Sequence, residues 1–385
     1  MSTTSKLTRL AVTLVTAAAV AGLTAPAALA DPPKHAATQA AIDTQRSARA
    51  AIGAGATVRD GDTMWSVTSG TRMLGQALPV GPEHRVRAGS LTKTFTAAMM
   101  LQLAEEGLVD LNASVETYLP GVVQGNGYDG RNITVRQLLN HTSGIFDYVD
   151  VALRNPQFQL RQFTLAQVAA LGLANPPYFA PGQGWRYSGT NFILAGMIIE
   201  AVTKRGWIEE LTTRIITPLG LSTTMVPVGT KALPPGHVRG YLGRVVYLDV
   251  TQMFEPSIGG SSGGIVTSGQ DATKFLQALL TGKVLAPARL AEMLTPYTGP
   301  GAPEIAYGLG ISRYPLPCGG EAWGHNGLWP GYESNAVATA DGRAAFTTVN
   351  VLDPFGGGSG GSALANGGGP GLLANATVTA LCDKS

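Results

Sequence analysis

Segments with strand character lie at both ends of this chain, and the residues between them read as helices. Ala56 to Arg59 and Met64 to Thr68 alternate around Asp60-Gly61-Asp62, as a hairpin does. Arg85 to Ala88 is a further short strand. Strand character returns at Tyr307–Arg313, Ala322–His325, Glu333–Thr339 and Ala344–Val351, bounded by turns such as Asp341-Gly342. The intervening periodicity predicts helices over 134–140, 164–172, 190–204, 207–216 and 270–281, separated by Pro- and Gly-rich loops at 174–186 and 226–240. Such an order points to an α+β fold: one antiparallel sheet assembled from both chain ends, with a helical block inserted. The expected division is a sheet lobe over 44–107 and 282–385 and a helical lobe over 108–281. Thr44–Ile52 is expected to form a first helix, and 372–381 a last one. No internal repeat is seen.

The first 30 residues are set apart from this pattern. Lys6 and Arg9 precede an apolar run from Leu10 to Leu23, and Ala28-Leu29-Ala30 supplies small residues for cleavage. This is the pattern of a secretory signal peptide over 1–30; the run is too short to favour a membrane span. Residues 31–43, polar and Pro/Ala-rich, are expected to be loose. The 27 Lys and Arg of the chain, less the two in the leader, leave 25 against 25 Asp and Glu. A balance near zero argues against nucleic acid or an anionic membrane as partner. The abundance of Arg, Ala and Gly fits a GC-rich bacterial source. Cys318 and Cys382 are the only cysteines. In a secreted chain they suggest one disulfide, two unpaired thiols being the alternative. Two Cys and five scattered His show no metal-ligand spacing, so neither metal nor organic cofactor is expected. The tract Gly356 to Gly371 is too Gly-rich for a fixed structure and reads as a mobile loop.

Two short strings carry chemistry. Ser90-Leu91-Thr92-Lys93 opens a helix expected to be amphipathic, with Phe95, Met99 and Leu103 at helical spacing and Gly107 closing it. Residues three apart share a helical face, so the Ser90 hydroxyl and the Lys93 amine are neighbours. A serine in a first turn also has a free backbone N–H and the favourable end of the helix dipole for a developing anion. Taken alone, the pair reads more readily as an N-cap serine and a solvated lysine. Late in the chain, His325-Asn326-Gly327 lies on an expected strand, and Tyr187-Ser188-Gly189 lies between the two strings.

Five strings in this order resemble the serine D-alanyl-D-alanine carboxypeptidases and class C β-lactamases. They are Arg87–Lys93, Thr134–Gly144 (which includes His141-Thr142-Ser143-Gly144), Tyr187–Phe192, Pro218–Leu221 and Gly324–Gly327. The resemblance extends over about residues 44 to 382. It implies a β-lactamase/transpeptidase-like fold, with a five-stranded antiparallel sheet flanked by helices, an inserted mainly helical domain, and the site between them. Ser90 would be the acylated nucleophile, Lys93 would assist its deprotonation, and Tyr187 would shuttle protons. His325 would polarise Tyr187 or bind an acidic group. The backbone N–H groups of Ser90 and Leu328 would form the oxyanion hole. Asn326 and Gly327 would receive the substrate, Gly327 by letting it lie close to the strand. His141 to Gly144 would be a structural turn, while Phe146, Tyr148, Trp329 and Tyr332 are candidates for the cleft wall. The implied activity is that of a secreted, monomeric hydrolase of small peptides, esters or β-lactams, foremost a D-alanyl-D-alanine carboxypeptidase, with a weakly catalytic penicillin- or cell-wall-peptide-binding protein as the rival. One departure matters: Gly189 stands where the family's Tyr-x-Asn motif carries an asparagine that contacts the substrate amide. Loss of such a contact costs about 1–3 kcal/mol. Restoring an asparagine at 189 is therefore expected to favour amide over ester turnover.

Overall fold

The computed structural model describes residues 34–352 and 372–384, apart from 156, 158 and 159. The expected signal peptide and the Gly356–Gly371 tract lie outside the described residues. The described residues from His35 onward form one compact unit. Its centre is an antiparallel sheet of six strands rather than five: β1 (Gly53–Asp60), β2 (Thr63–Gly70), β3 (Ser312–Pro315), β4 (Glu321–Trp329), β5 (Tyr332–Ala338) and β6 (Ala344–Val349). Their spatial order is β2-β1-β6-β5-β4-β3. The first hairpin turns at Gly61-Asp62, with Asp60 opposite Thr63 and Gly61 at φ +57°, a conformation glycine adopts without a Cβ penalty. The two chain ends are joined in the middle of the sheet, where Ala54 faces Val349 and Arg59 faces Ala344.

Both faces of the sheet are covered, and the side-chain alternation shows why. Ala336, Ala338, Ala344 and Phe346 join the core that contains Phe275, Leu276 and Leu279. Val337 and Ala345, one residue out of phase, pack with Ala374, Ala380 and Leu381 on the opposite face. One layer is therefore helix α4 (Gly269–Leu280). The other is α1 (Ala36–Arg49) with α5 (Leu372–Cys382). Two expectations change here. The helix at the start of the fold begins at Ala36 instead of Thr44, so 36–43 is not loose. Ala- and Gln-rich sequence favours helix, Ile42 is fully buried, and the Thr38 hydroxyl donates to Asp383 Oδ2 at 2.6 Å. Helix α4 packs on β1, β5 and β6, so 269–280 belongs to the sheet lobe rather than to the helical one.

The expected amphipathic helix is α2 (Thr92–Glu105), entered through a single 3₁₀ turn at Gly89–Leu91. It is not amphipathic: every residue from Thr92 to Leu101 is buried. The helix runs through the interior, where Phe95 stacks on Phe275 at 3.6 Å and the Thr94 and Thr96 hydroxyls donate to the Gly310 and Ser261 carbonyls. A helix buried on all sides has no polar face to show. Behind it lies α3 (Gly189–Thr203), equally apolar. The disulfide joins Cys318 to Cys382, with Cα atoms 5.7 Å apart, fastening α5 to the loop after β3.

Candidate active site

Ser90 is held where three segments meet. Gly89 has φ +51°, and a Cβ built there would lie 2.3 Å from the Leu328 carbonyl oxygen and 2.7 Å from its nitrogen. Only glycine allows β4 to come this close to the start of α2. That approach places the Ser90 and Leu328 backbones, the expected oxyanion pair, side by side. From the other side, the Ala88 N–H donates to Ile265 and the Thr92 hydroxyl bridges Gly89 O and Ile265 N. The turn carrying Ser90 is thus fixed by β4 and by the segment 259–265.

Lys93 is 2% exposed and fully enclosed. Its Nζ lies 3.1 Å from Ser90 Oγ and donates to the Ser262 carbonyl at 2.9 Å. Burial pulls its pKa down to about 7, against the pull of the Asp147 carboxylate, which favours the charged form. Near neutral pH, a large share of Lys93 is free amine, able to accept the Ser90 proton. Tyr187 stacks its ring under the same amine, 4.7 Å from Nζ. Among the described residues its buried hydroxyl finds no well-aligned hydrogen-bond partner, although the Ser90 hydroxyl lies close. Burial raises the phenol well above its ordinary value, and the nearby Ser90 hydroxyl only partly offsets this. Tyr187 is thus a neutral phenol suited to passing a proton on; Lys93 is the group that can stand as base.

These residues open onto a cavity of about 110 Å³. Its wall is mostly apolar: Val149, Ala152, Phe254, Ile258, Leu328 and Trp329. Of the aromatic candidates, Tyr148 and Trp329 line it. Phe146 instead stacks on Tyr178, and the Tyr332 hydroxyl donates to Val238 in the core. Sequence reasoning missed Asp147 and Ser262, both in the wall. Asp147 N-caps the helix Tyr148–Arg154, a signal the sequence did offer. Ser262 lies in Gly259-Gly260-Ser261-Ser262-Gly263-Gly264, a compositional oddity with no recognisable role before folding. Gly189 also lines the cleft. A Cβ there would lie 2.8 Å from the Tyr148 ring and 2.9 Å from Ser262 Oγ. The position of the missing asparagine is therefore no vacancy, because Tyr148, Ser262 and Asp147 close over it. The Gly189 N–H donates to Asp147 Oδ1 at 2.9 Å.

His325, Asn326 and Gly327 are not in the cleft wall. Gly327 does permit a close approach, but to the Ala88 carbonyl, which a Cβ would meet at 1.8 Å. Asn326 accepts from His325 Nδ1 through its carbonyl at 2.6 Å. His325 is fully buried behind Tyr187, ring centres 6.0 Å apart, and both its nitrogens are engaged. The hydrogen bonds fix the tautomers. His141 Nδ1 accepts from the Ser188 N–H at 3.2 Å and faces the Asn191 amide at 3.1 Å, whose oxygen takes the Ser143 hydroxyl. His141 must then carry its proton on Nε2 and donate to the Tyr307 hydroxyl at 3.2 Å. Tyr307 donates onward to His325 Nε2 at 3.0 Å, and His325 Nδ1–H donates to Asn326 O. His325 thus has no free nitrogen for Tyr187 or for a substrate acid. Burial and the Lys93 charge bring its pKa down to about 3, so it is neutral.

The β-lactamase family model matches residues 38–376. Among solved structures, a D-stereospecific amidohydrolase from a Streptomyces species is 39% identical, over 90% of this chain and 98% of that one, with a TM-score of 0.77. The D-amino acid amidase of Ochrobactrum anthropi SV3, complexed with D-phenylalanine, is 27% identical over 90% and 97%, with a TM-score of 0.76. Penicillin-binding protein 4* of Bacillus subtilis is 27% identical over 74% of this chain, and the chain spans only 64% of that relative's length.

Proposed function

Because the chain belongs to the β-lactamase family of serine hydrolases, we propose that it cleaves the amide or ester bond of a small apolar D-aminoacyl substrate through an acyl-enzyme on Ser90. The observation that carries this reading is the buried amine of Lys93, 3.1 Å from Ser90 Oγ, with a pKa of about 7. Free amine removes the Ser90 proton as Oγ attacks the substrate carbonyl. The oxyanion forms against the Ser90 and Leu328 N–H groups. Tyr187 hands a proton to the leaving amine or alcohol and is replenished from Lys93. Water then takes the leaving group's place and the steps run in reverse. The configuration is suggested by the names of the Streptomyces and Ochrobactrum proteins.

A D-alanyl-D-alanine carboxypeptidase, the narrower expectation, finds less support in the cleft. Its leaving residue carries a carboxylate, as β-lactam antibiotics do. Lys93 is the only cation among the described residues lining the cavity, and Ser90 and Ser262 already engage it. Turnover of a D-amino acid amide, its matched ester, a cephalosporin and a D-Ala-D-Ala peptide, measured side by side, tests this; the first two should lead. A peptide or cephalosporin turned over faster than both would refute the substrate assignment. A fluorophosphonate adduct should map to Ser90, and labelling that survives Ser90→Ala would refute the acyl-enzyme. The reading includes export of a monomer: protein from culture medium should begin after Ala30 and elute at monomer size.

A further inference from the structure

Asp147 is only 9% exposed, yet it lines the cleft. Its Oδ1 is used twice, accepting from the Val149 N–H at 3.1 Å and the Gly189 N–H at 2.9 Å. Those two bonds fix the carboxyl plane. Oδ2 takes no hydrogen bond, and the group forms no ion pair among the described residues. Capping alone does not explain an acid here, because asparagine or serine caps as well without the cost of burying a charge. That cost is visible, since burial lifts the carboxyl to about 6. Among the described residues, no other acidic side chain lines the cavity.

We propose that Asp147 is a specificity residue whose carboxylate receives the substrate's α-ammonium group. The site then takes amides and esters of amino acids, and N-terminal residues of peptides, that carry a free amine. This rests on the Ser90 acyl-enzyme reading and names its substrate class. The carboxylate lies a short chain of contacts from the reacting oxygen. The Gly189 N–H holds its Oδ1, the space beside Gly189 is bounded by Asp147 Oδ1 and Ser262, the Ser262 carbonyl holds Lys93 Nζ, and Nζ touches Ser90 Oγ. Ser90 and Asp147 line the same cavity, and the α-ammonium, one carbon from the scissile carbonyl, is the substrate cation nearest the attacked atom. The apolar wall of Val149, Ala152, Phe254 and Ile258 is left for the substrate's side chain. Gly189 is what admits the acid, because any side chain at 189 would fill the ground between Tyr148, Ser262 and Asp147.

Three p-nitroanilides that differ only at the α-carbon test this: D-phenylalanyl, N-acetyl-D-phenylalanyl and 3-phenylpropionyl. At pH 7.5 the wild-type protein should prefer the free amine over the des-amino compound by roughly 10- to 100-fold in kcat/KM, the range of a hydrogen bond to a charged group. The N-acetyl compound should do no better than the des-amino one. In Asp147→Asn, which keeps an Oδ1 acceptor for both N–H groups, that preference should fall to within a few-fold of one. A wild-type ratio near one, or an unchanged ratio in the variant, overturns the inference. Should the variant not fold, the wild-type ratios decide alone. Fluorophosphonate labelling separates the two levels. A labelled Ser90 with an unchanged ratio sinks this inference only, whereas an unlabelled wild-type Ser90 sinks the acyl-enzyme reading beneath it.

Discussion

The pH dependence of acylation follows from one buried pair. The proposed acylation needs Lys93 as free amine, and that amine titrates at about 7 because burial disfavours the ammonium. The ionised Asp147 carboxylate opposes this, holding the lysine higher than burial alone would. His141 and His325 also face Lys93, and burial drives both toward the neutral form, His325 down to about 3. With an uncharged ester as substrate, kcat/KM should therefore rise with pH and level off above about 8. At pH 6 only about a tenth of Lys93 is free base, and the rate should drop accordingly. Below pH 6, Asp147 itself takes up a proton and its support for the ammonium disappears. The pair then titrates jointly and the acid limb becomes shallower than proportional. Asp147→Asn removes the negative charge, leaves burial unopposed, and should move the midpoint to lower pH. Stopped-flow acylation of the 3-phenylpropionyl ester of p-nitrophenol between pH 4.5 and 9 reads this directly. A flat profile from pH 5 to 8, or a midpoint that rises in the variant, would refute the assignment of Lys93 as base.

Other expectations are equally direct. Gly189→Asn should lower amide and ester acylation together by at least ~10-fold, because the new Cβ meets Tyr148 and Ser262 at under 3 Å; a selective gain on amides would restore the expectation drawn from the sequence. Gly89→Ala should abolish Ser90 labelling, since its Cβ strikes the Leu328 backbone and φ there is positive; retained labelling would mean that β4 moves freely. Removing the disulfide by Cys318→Ala with Cys382→Ala should lower denaturant stability by up to about 4 kcal/mol, given the 64-residue separation; no change in the urea midpoint would count against it. His325 has a folded pKa below the unfolded one, so its contribution is intact above pH 6.5 and is lost as pH falls toward 3; Tm should drop over that range, less so in His325→Gln.

Much of the architecture could be read before folding, because period-two alternation and turn residues are local signals. The hairpin at Asp60-Gly61-Asp62, the late strands and the helix after Ser90 were all legible in this way. What was missed depended on partners far away in sequence. Nothing local says that α2 will be enclosed, since its Thr94 and Thr96 find carbonyl partners at Gly310 and Ser261 only in three dimensions. The count of five strands came from the resemblance; the residues themselves pointed to a strand at Tyr307–Arg313, which the structure shifts to Ser312–Pro315, paired with β4. Tyr148–Arg154 escaped notice as a helix for want of length. Within the site, Ser90, Lys93 and Tyr187 converge as expected, while His325 does not reach the cleft. Its string sits on a strand whose alternate residues face opposite ways, and the tyrosine that claims its Nε2 is 18 residues upstream. Asp147 offered only a helix-cap signal, and its place in the cleft depends on Gly189, 42 residues later.

The join between β1 and β6 has a consequence for how this protein comes into being. Residues 53–60 can complete their pairing only when 344–349 have been made, and the Ser90 turn is buttressed by Leu328 from the same late stretch. A nascent chain therefore carries its serine and lysine for most of its synthesis without the backbone that would arm them. Pairing so distant in sequence is also slow to form. Labelling of Ser90 during refolding should consequently appear in step with the last phase of sheet closure, making an activity probe a clock for completion of the fold.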